Sequence, residues 1–279
     1  MSVIRVRCEL HYQVAVPTSF LFHVTAANTP HQSVTHEEVQ IEPSKEYDVG
    51  YLGAEDNRVF RLQTLPGDLT LHYQAHVSLT PAVENPPQIP ETEHPQLPEE
   101  VLPYLNPSRY CEADRLAAFA MAEFGALDRG YSRVAAICEW TYKHLQYQSG
   151  STNASTGACD VLILRSGVCR DYAHLGIALC RALCIPARYV SGYAVALEPP
   201  DFHGFFEAYL GNQWYLFDAT RLAPVEGLVR IGMGRDAADV PFATIIGAAT
   251  LESKVVSAEE LTEEIPKQAA AAEPAVSTA

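Results

Sequence analysis

The stretch GVCRDY at residues 167–172 decides the predicted fold of the second half of this chain. Apolar residues at helical spacing continue over Val168–Leu183, which predicts a helix that closes before Pro186. Cys169 would then lie in the first turn, where free backbone N–H groups and the helix dipole favour a thiolate and can receive an oxyanion. Gly167 would let a substrate carbonyl approach the backbone. On this motif alone, a buried structural cysteine is an equally good interpretation.

A nucleophilic cysteine needs a base, and three histidines follow residue 94. His144 falls on the preceding predicted helix and is equally well interpreted as a surface residue. His174 follows Cys169 by five residues on the same helix, which separates the two side chains by about 140° around the axis. His203 opens a predicted strand and is therefore the candidate base.

Asp218 is the candidate partner that orients the His203 imidazole. Two predicted strands flank Gly211-Asn212, which is a two-residue hairpin signal. That register sets His203 opposite Thr220 and makes Asp218 a diagonal neighbour on the same face. Glu207 shares this face but lies roughly 13 Å from His203 along the strand. A strand-end cap is the alternative role for Asp218.

The rest of the sequence predicts an α+β chain with an N-terminal all-β, sandwich-like domain. Residues 1–80 form that domain, 81–110 a Pro- and Glu-rich extended linker, 111–250 the core, and 251–279 a strand end and disordered tail. The predicted N-terminal strands are Val3–Ala15, Ser19–Ala27, Ser33–Ile41, Arg58–Leu65 and Leu69–Leu79. The predicted core elements are helices Glu112–Leu127, Tyr131–Tyr147 and Val168–Leu183, then strands Ala187–Leu197, His203–Leu210, Gln213–Thr220 and Ala243–Val256. Helices followed by strands in blocks favour an antiparallel core sheet.

The formal net charge of −15 is concentrated in the predicted linker and tail. Residues 84–100 carry −5 and residues 252–279 carry −4, so the charge marks domain edges and does not indicate a substrate. Nucleic acid and anionic membranes are not expected as partners, because both need clustered Lys and Arg. No apolar run reaches transmembrane length, and no signal peptide is recognisable. An odd number of cysteines, seven, without a signal peptide favours reduced thiols in the cytoplasm. No CxxC spacing is present, so a metal site is not expected. We expect no cofactor, and the oligomeric state stays open.

Four motifs together resemble the transglutaminase-like superfamily, in its bacterial cysteine-protease-like branch. They are GVCRDYAHL at 167–175, IPARYVSGY at 185–193, HGFFEAY at 203–209 and WYLFDAT at 214–220. The upstream stretch LPYLNPSRYCEADR at 102–115 and a preceding β domain are also similar to that branch. The resemblance implies a papain-like core in which Cys169 is the nucleophile, His203 the base and Asp218 the orienting residue.

The chain departs from the pattern of the superfamily at two places. Members commonly carry Trp shortly after the His and Pro after the Asp, whereas this sequence has Phe205-Phe206 and Ala219. Phe can still form a wall of the cleft, so the departures leave the triad intact. In transglutaminases proper, a Trp upstream of the Cys stabilises the transition state. Trp140 is upstream here but lies on a predicted helix, and a core position is the favoured interpretation.

The residues predict a thiol enzyme that acts on an amide bond of a peptide or protein. A thioester on Cys169 could be resolved by water, as in a protease or amidase, or by an amine, as in a transglutaminase. Hydrolysis is the favoured prediction because no feature for a second substrate is visible. A non-catalytic binding module, or a main role for the N-terminal domain in protein binding, is the alternative from another functional class.

Overall fold

Alternating apolar and polar residues build the N-terminal strands of the computed structural model, which describes residues 2–261 and 274–279. Ile4, Val6 and Leu10 of the first strand are buried, as a period of two requires. The strands are β1 Ser2–Val14, β2 Thr18–Phe22, β3 Gln32–Glu42, β4 Asp48–Leu52, β5 Asn57–Thr64 and β6 Gly67–Leu79. The second predicted strand ends at Phe22, five residues early, and β4 was not predicted because its residues are mostly exposed.

The connector between the two halves is docked onto the protein and is not simply extended. It contains β7 Ala82–Glu84 and three short 3-10 turns, Pro86–Gln88, His94–Gln96 and Leu102–Leu105. Leu97 and Val101 are buried in a small cluster with Tyr209 of the core. Prolines and apolar residues alternate in this stretch, so the chain turns repeatedly and still covers apolar surface.

The second half confirms the predicted α+β class, with helices first and an antiparallel sheet after them. The elements are α1 Ala113–Phe124, α2 Tyr131–His144, β8 Gln146–Tyr147, α3 Ala158–Leu164, β9 Ser166–Gly167, α4 Cys169–Ala182, β10 Ala187–Ala194, β11 Phe202–Leu210, β12 Gln213–Phe217, the 3-10 turn Val225–Gly227 and β13 Leu228–Gly234. The sheet order is β12-β11-β10-β13. Four of these elements, α3, β8, β9 and β13, were not predicted from the sequence, and the first three are too short for a periodic signal.

Helix α4 is the centre of the core and fixes the position of Cys169. Its residues from Asp171 to Arg181 are all buried. It packs against β10 and β11, and a Cβ on Gly176 would lie 2.6 Å from the ring of Phe206. Only glycine allows this close approach, so helix and sheet meet in one register, which fixes the first turn of α4 against the sheet.

The C-terminal part of the chain returns to the N-terminal domain, which corrects the predicted boundaries at 250 and 251. β14 Ala243–Ile246 pairs with β2, and β15 Ala249–Glu260 pairs with β1. The sandwich therefore has two four-stranded sheets, β15-β1-β6-β3 and β14-β2-β5-β4. The prediction of one core strand over residues 243–256 was therefore wrong. Local alternation of residues does not indicate which sheet a strand joins.

The last residues differ from the predicted disordered tail. Residues 266–273 of that tail lie outside the described residues, but β16 Ala275–Ser277 pairs with β7 and is buried. Val276 packs against Phe205 and Leu216 of the core sheet. Within 2–261 and 274–279, no helix is both long and apolar enough to cross a bilayer.

Candidate active site

Asp171 builds the turn that presents Cys169. Its Oδ2 accepts hydrogen bonds from the Val168 N–H at 2.9 Å and the Thr152 hydroxyl at 2.6 Å, and the side chain is fully buried. A Cβ on Gly167 would lie 2.7 Å from the Asp171 Cβ. The glycine therefore makes room for this cap, a role that was not predicted from the sequence; the predicted approach of a substrate carbonyl stays a prediction.

Arg170 fixes the loop that flanks the start of α4. Its Nη2 donates to Asp171 Oδ1 at 3.0 Å and to the carbonyl of Asn153 at 3.0 Å. Cys169 is half-buried and carries a free thiol. Cys169 thus lies partly exposed at a helix N-terminus whose neighbouring side chains are held in place.

His203 and Asp218 meet as the hairpin register predicts. Leu210 pairs with Gln213, and His203 Nε2 lies 3.0 Å from Asp218 Oδ2. The other Asp218 oxygen accepts hydrogen bonds from the amide and hydroxyl of Thr220, at 2.8 and 2.7 Å. Asp218 is therefore both the turn cap and the imidazole partner, two roles that sequence analysis treated as alternatives.

The charge state of His203 follows from its two neighbours. Burial alone lowers the pKa of this imidazole, but hydrogen bonds and charge interactions with Asp218 and Cys169 outweigh it and raise the pKa to about 10. Nε2 is engaged by Asp218, and Nδ1 has no hydrogen bond of normal geometry to any described residue. Nδ1 is thus the nitrogen left to face Cys169. A protonated ring at this position favours the thiolate.

Tyr147 joins this site, and sequence analysis missed it by extending the preceding helix. The helix ends at His144, and Tyr147 pairs with Gly167 in a short parallel bridge, β8 to β9. That bridge brings its hydroxyl toward Cys169. Burial is the largest cause that raises the pKa of Tyr147, and the charge of Cys169 is the next largest. The apolar 131–147 pattern contains no signal for this break.

The other two histidines of the second half lie elsewhere. His144 stacks on Trp140, with ring centroids 4.2 Å apart, on an exposed part of α2. His174 is fully buried between the rings of Tyr110 and Tyr189, and its Nε2 accepts the amide hydrogen of Ala237 at 3.1 Å. Their positions agree with the elimination that selected His203.

The aromatic residues considered for the cleft are mostly core residues. Trp140 packs against Phe119 at 5.3 Å, as the core interpretation requires. Phe205 and Phe206 are both fully buried on opposite faces of β11. Phe205 meets the His203 ring edge-on at 4.5 Å, so it supports the imidazole from behind and does not form a wall of an open cleft.

Glu207, the rejected partner of His203, belongs to a separate buried ion-pair network. Its carboxylate contacts Arg188 at 2.7 Å and Arg230 at 2.5 Å. Burial raises the pKa of Glu207, but the two guanidinium groups outweigh it and bring the pKa to about 2.

Within the described ranges, no group of three or more His, Cys, Asp or Glu side chains could hold a metal ion.

Two buried histidines of the core, His174 and His203, predict a maximum of stability near neutral pH. Burial lowers the pKa of His174 to about 3 from 6.5, so its contribution is complete above pH 6.5 and is lost as the pH falls toward 3. The pKa of His203 is raised from 6.5 to about 10, so its contribution is complete below pH 6.5 and is lost as the pH rises toward 10. Each limb should amount to several kcal/mol at most, at about 1.4 kcal/mol per pH unit.

The free energy of unfolding, measured with urea at several pH values from about 4.8 to about 9.5, checks this expectation. The range extends about 1.5 units below and about 3 units above the pKa of an unfolded histidine. His174→Phe should flatten the acid limb, although part of that limb remains because burial also lowers the pKa of His23. If the free energy of unfolding does not fall between pH 6.5 and about pH 4.8, His174 does not have the lowered pKa of about 3 in the folded protein.

Comparisons with known proteins agree with the fold in both halves. A family model of the transglutaminase-like superfamily matches residues 119–219, and one of the bacterial transglutaminase N-terminal domain matches residues 2–85. A crystal structure from Cytophaga hutchinsonii, described as a candidate cysteine protease, is 42% identical, covers 99% of this chain and 97% of that one, and has a TM-score of 0.94.

Partial matches link the chain to mycobacterial proteins. An uncharacterized protein of Mycobacterium tuberculosis is 37% identical over 115 residues, which are 36% of this chain and 37% of that protein. One of Mycobacterium leprae is 30% identical over 145 residues, 49% of this chain and 52% of that protein. The chain thus spans between a third and about half of the length of these relatives. With the near-complete match to the Cytophaga structure and the two family models, the chain belongs to the transglutaminase-like superfamily.

Proposed function

We propose that this protein is a thiol-dependent enzyme that breaks amide bonds of peptide or protein substrates, as a cysteine protease or amidase. The observation that carries the proposal is the buried imidazole of His203, held by Asp218 on one nitrogen and adjacent to Cys169 through the other. A cysteine beside an imidazole that a carboxylate orients is the arrangement that nucleophilic catalysis requires.

The proposed reaction has two stages. The Cys169 sulfur attacks the amide carbonyl carbon, and the carbonyl oxygen takes up the negative charge. The His203 imidazolium then gives its proton to the leaving nitrogen as the C–N bond breaks, which leaves a thioester on Cys169. Water loses a proton to His203 as its oxygen adds to the thioester carbon. The C–S bond then breaks, which releases a carboxylic acid and leaves Cys169 as the thiolate and His203 as the imidazolium.

The oxyanion has two candidate donors next to the sulfur. One is the Cys169 backbone N–H at the unpaired N-terminus of α4. The other is the Tyr147 hydroxyl, which lies close enough to Cys169 for the charge of the cysteine to raise the Tyr147 pKa. Donors aimed at the developing charge are the largest contributors to acyl-transfer catalysis.

We propose the cytosol as the compartment, since a reactive Cys169 and an exposed Cys184 stay reduced there.

A peptide library with Gln and Lys side chains, analysed by mass spectrometry, tests this proposal. We expect backbone cleavage or hydrolysis of side-chain amides by the wild-type protein, and none by Cys169→Ala. Release of ammonia with Gln–Lys cross-links would instead identify an amine as the acceptor, as in a transglutaminase. The absence of any Cys169-dependent product over the whole library would leave the non-catalytic binding module as the better interpretation.

A further inference from the structure

An ion pair between the two halves of the protein lies next to the candidate base. Asp201 is two residues before His203, and Lys254 is on β15 of the N-terminal sandwich. The Lys254 Nζ lies 2.5 Å from Asp201 Oδ1 and 2.6 Å from Oδ2. A lysine of the N-terminal domain thus reaches the rim of the site on the core.

The Asp201 carboxylate is held in a fixed orientation. Its Oδ1 also accepts the N–H of Phe202 at 2.7 Å. The ring of Phe202 stacks on Phe242 at 5.4 Å, and the Lys254 Nζ lies 6.0 Å from the centre of the same Phe242 ring. An oriented carboxylate beside an aromatic face is a suitable environment for an alkylammonium group.

The ion pair lies beside the candidate base, because Asp201 directly precedes β11, whose second residue is His203. The negative charge of Asp201 contributes to the raised pKa of Tyr147, whose hydroxyl interacts with Cys169. The Asp201 and Lys254 side chains are 41% and 31% exposed. Exposed pairs of this kind contribute little stability, so another cation can displace the lysine at low cost.

We infer that Asp201 is a subsite for an alkylammonium group of the substrate, such as a lysine side chain, and that Lys254 is its internal occupant. The inference rests on the proposed function, because the subsite serves a reaction at Cys169. A cationic substrate group would displace Lys254 from the carboxylate. Substrates with a neutral or acidic group at this point would leave the ion pair closed.

Charged thiol reagents test the subsite without a known substrate. Methanethiosulfonates transfer a thioalkyl group to a thiolate and release methanesulfinate, so the rate of mixed disulfide formation at Cys169 reports access to the site. The measured quantity is the ratio of the rate with the cationic aminoethyl reagent to that with the neutral ethyl reagent, read at Cys169 by peptide mass spectrometry.

Two variants should move this ratio in opposite directions. Asp201→Asn should lower it about fivefold, because a single charge near the sulfur is removed, and Lys254→Gln should raise it by a similar factor, because the carboxylate is freed. Glu198→Gln is the matched control, since it removes an exposed carboxylate three residues from Asp201 in the same loop and should leave the ratio unchanged.

Opposite shifts of the two variants would support the subsite. If Cys169 stays reactive but both variants give a rate ratio within 1.5-fold of the wild type, well below the roughly fivefold effect expected, the subsite is overturned. The ion pair would then serve only to join the two domains. If Cys169 of the wild type reacts with the neutral reagent no faster than Cys184, the proposed function itself fails, and the subsite fails with it.

Discussion

Replacing Cys169 by alanine is expected to abolish amide cleavage, with a loss of about 10⁴-fold or more. The sulfur forms the bond to the substrate in the proposed reaction, and nothing else at the site can replace it. The variant should also lose the rapid reaction with iodoacetamide at mildly acidic pH, because only a thiolate reacts there. Far-ultraviolet circular dichroism and urea unfolding should show a folded protein, since the side chain is half-buried at a helix end.

Cys184→Ala is the matched control for this experiment. Cys184 is exposed, so it is open to the same reagent, but it lies beyond the far end of α4. The control variant should keep both the activity and the rapid labelling. If Cys169 labels no faster than the other six cysteines in the wild-type protein, the idea of an activated thiolate is wrong.

The site could be predicted where its geometry is local in sequence. Cys169 is defined by a helix start, and the relation of His203 to Asp218 by a two-residue hairpin whose register follows from Gly211-Asn212. Both depend on contacts over fewer than 20 residues. Short-range patterns of this kind carry turn and cap chemistry that can be recognised directly in a sequence.

The parts that were missed depend on contacts between distant segments. Tyr147 reaches Cys169 only because a two-residue bridge pairs it with Gly167. Lys254 reaches Asp201 only because β15 leaves the core and pairs with β1. Alternation of residues indicates a strand and its faces, but it contains no information about which of several sheets the strand joins.

The burial of Glu207 shows the same limit at a single residue. Alternation along β11 correctly puts it on the same face as His203, but its partners Arg188 and Arg230 come from β10 and β13. A carboxylate in a strand is most often solvent-facing, and only the paired guanidinium groups make its complete burial acceptable. The face of Glu207 could therefore be predicted from the sequence, but its role as the centre of an ion-pair network could not.

Asp218→Asn is expected to lower kcat/KM about 10³- to 10⁴-fold while leaving the fold intact. Asp218 Oδ1 accepts the Thr220 N–H, so the carbonyl oxygen of an asparagine should stay on that amide and its NH₂ should face His203 Nε2. Nε2 would then become an acceptor, and the neutral imidazole would carry its proton on Nδ1. In that tautomer Nδ1 cannot accept a proton from the Cys169 thiol.

The same substitution should lower the pKa of His203, because Asp218 supplies part of the interaction that raises it to about 10. We therefore expect the upper pH limit of the remaining activity to move to lower pH, because the imidazolium that protonates the leaving nitrogen is lost at lower pH. Asp68→Asn, at an exposed position on the N-terminal sandwich, is the matched control and should change neither the pKa of His203 nor the pH limit of activity. A merely structural role for Asp218 predicts a loss of stability with an unchanged pH limit. That result would remove Asp218 from the catalytic unit and leave it as the cap of the β12 turn.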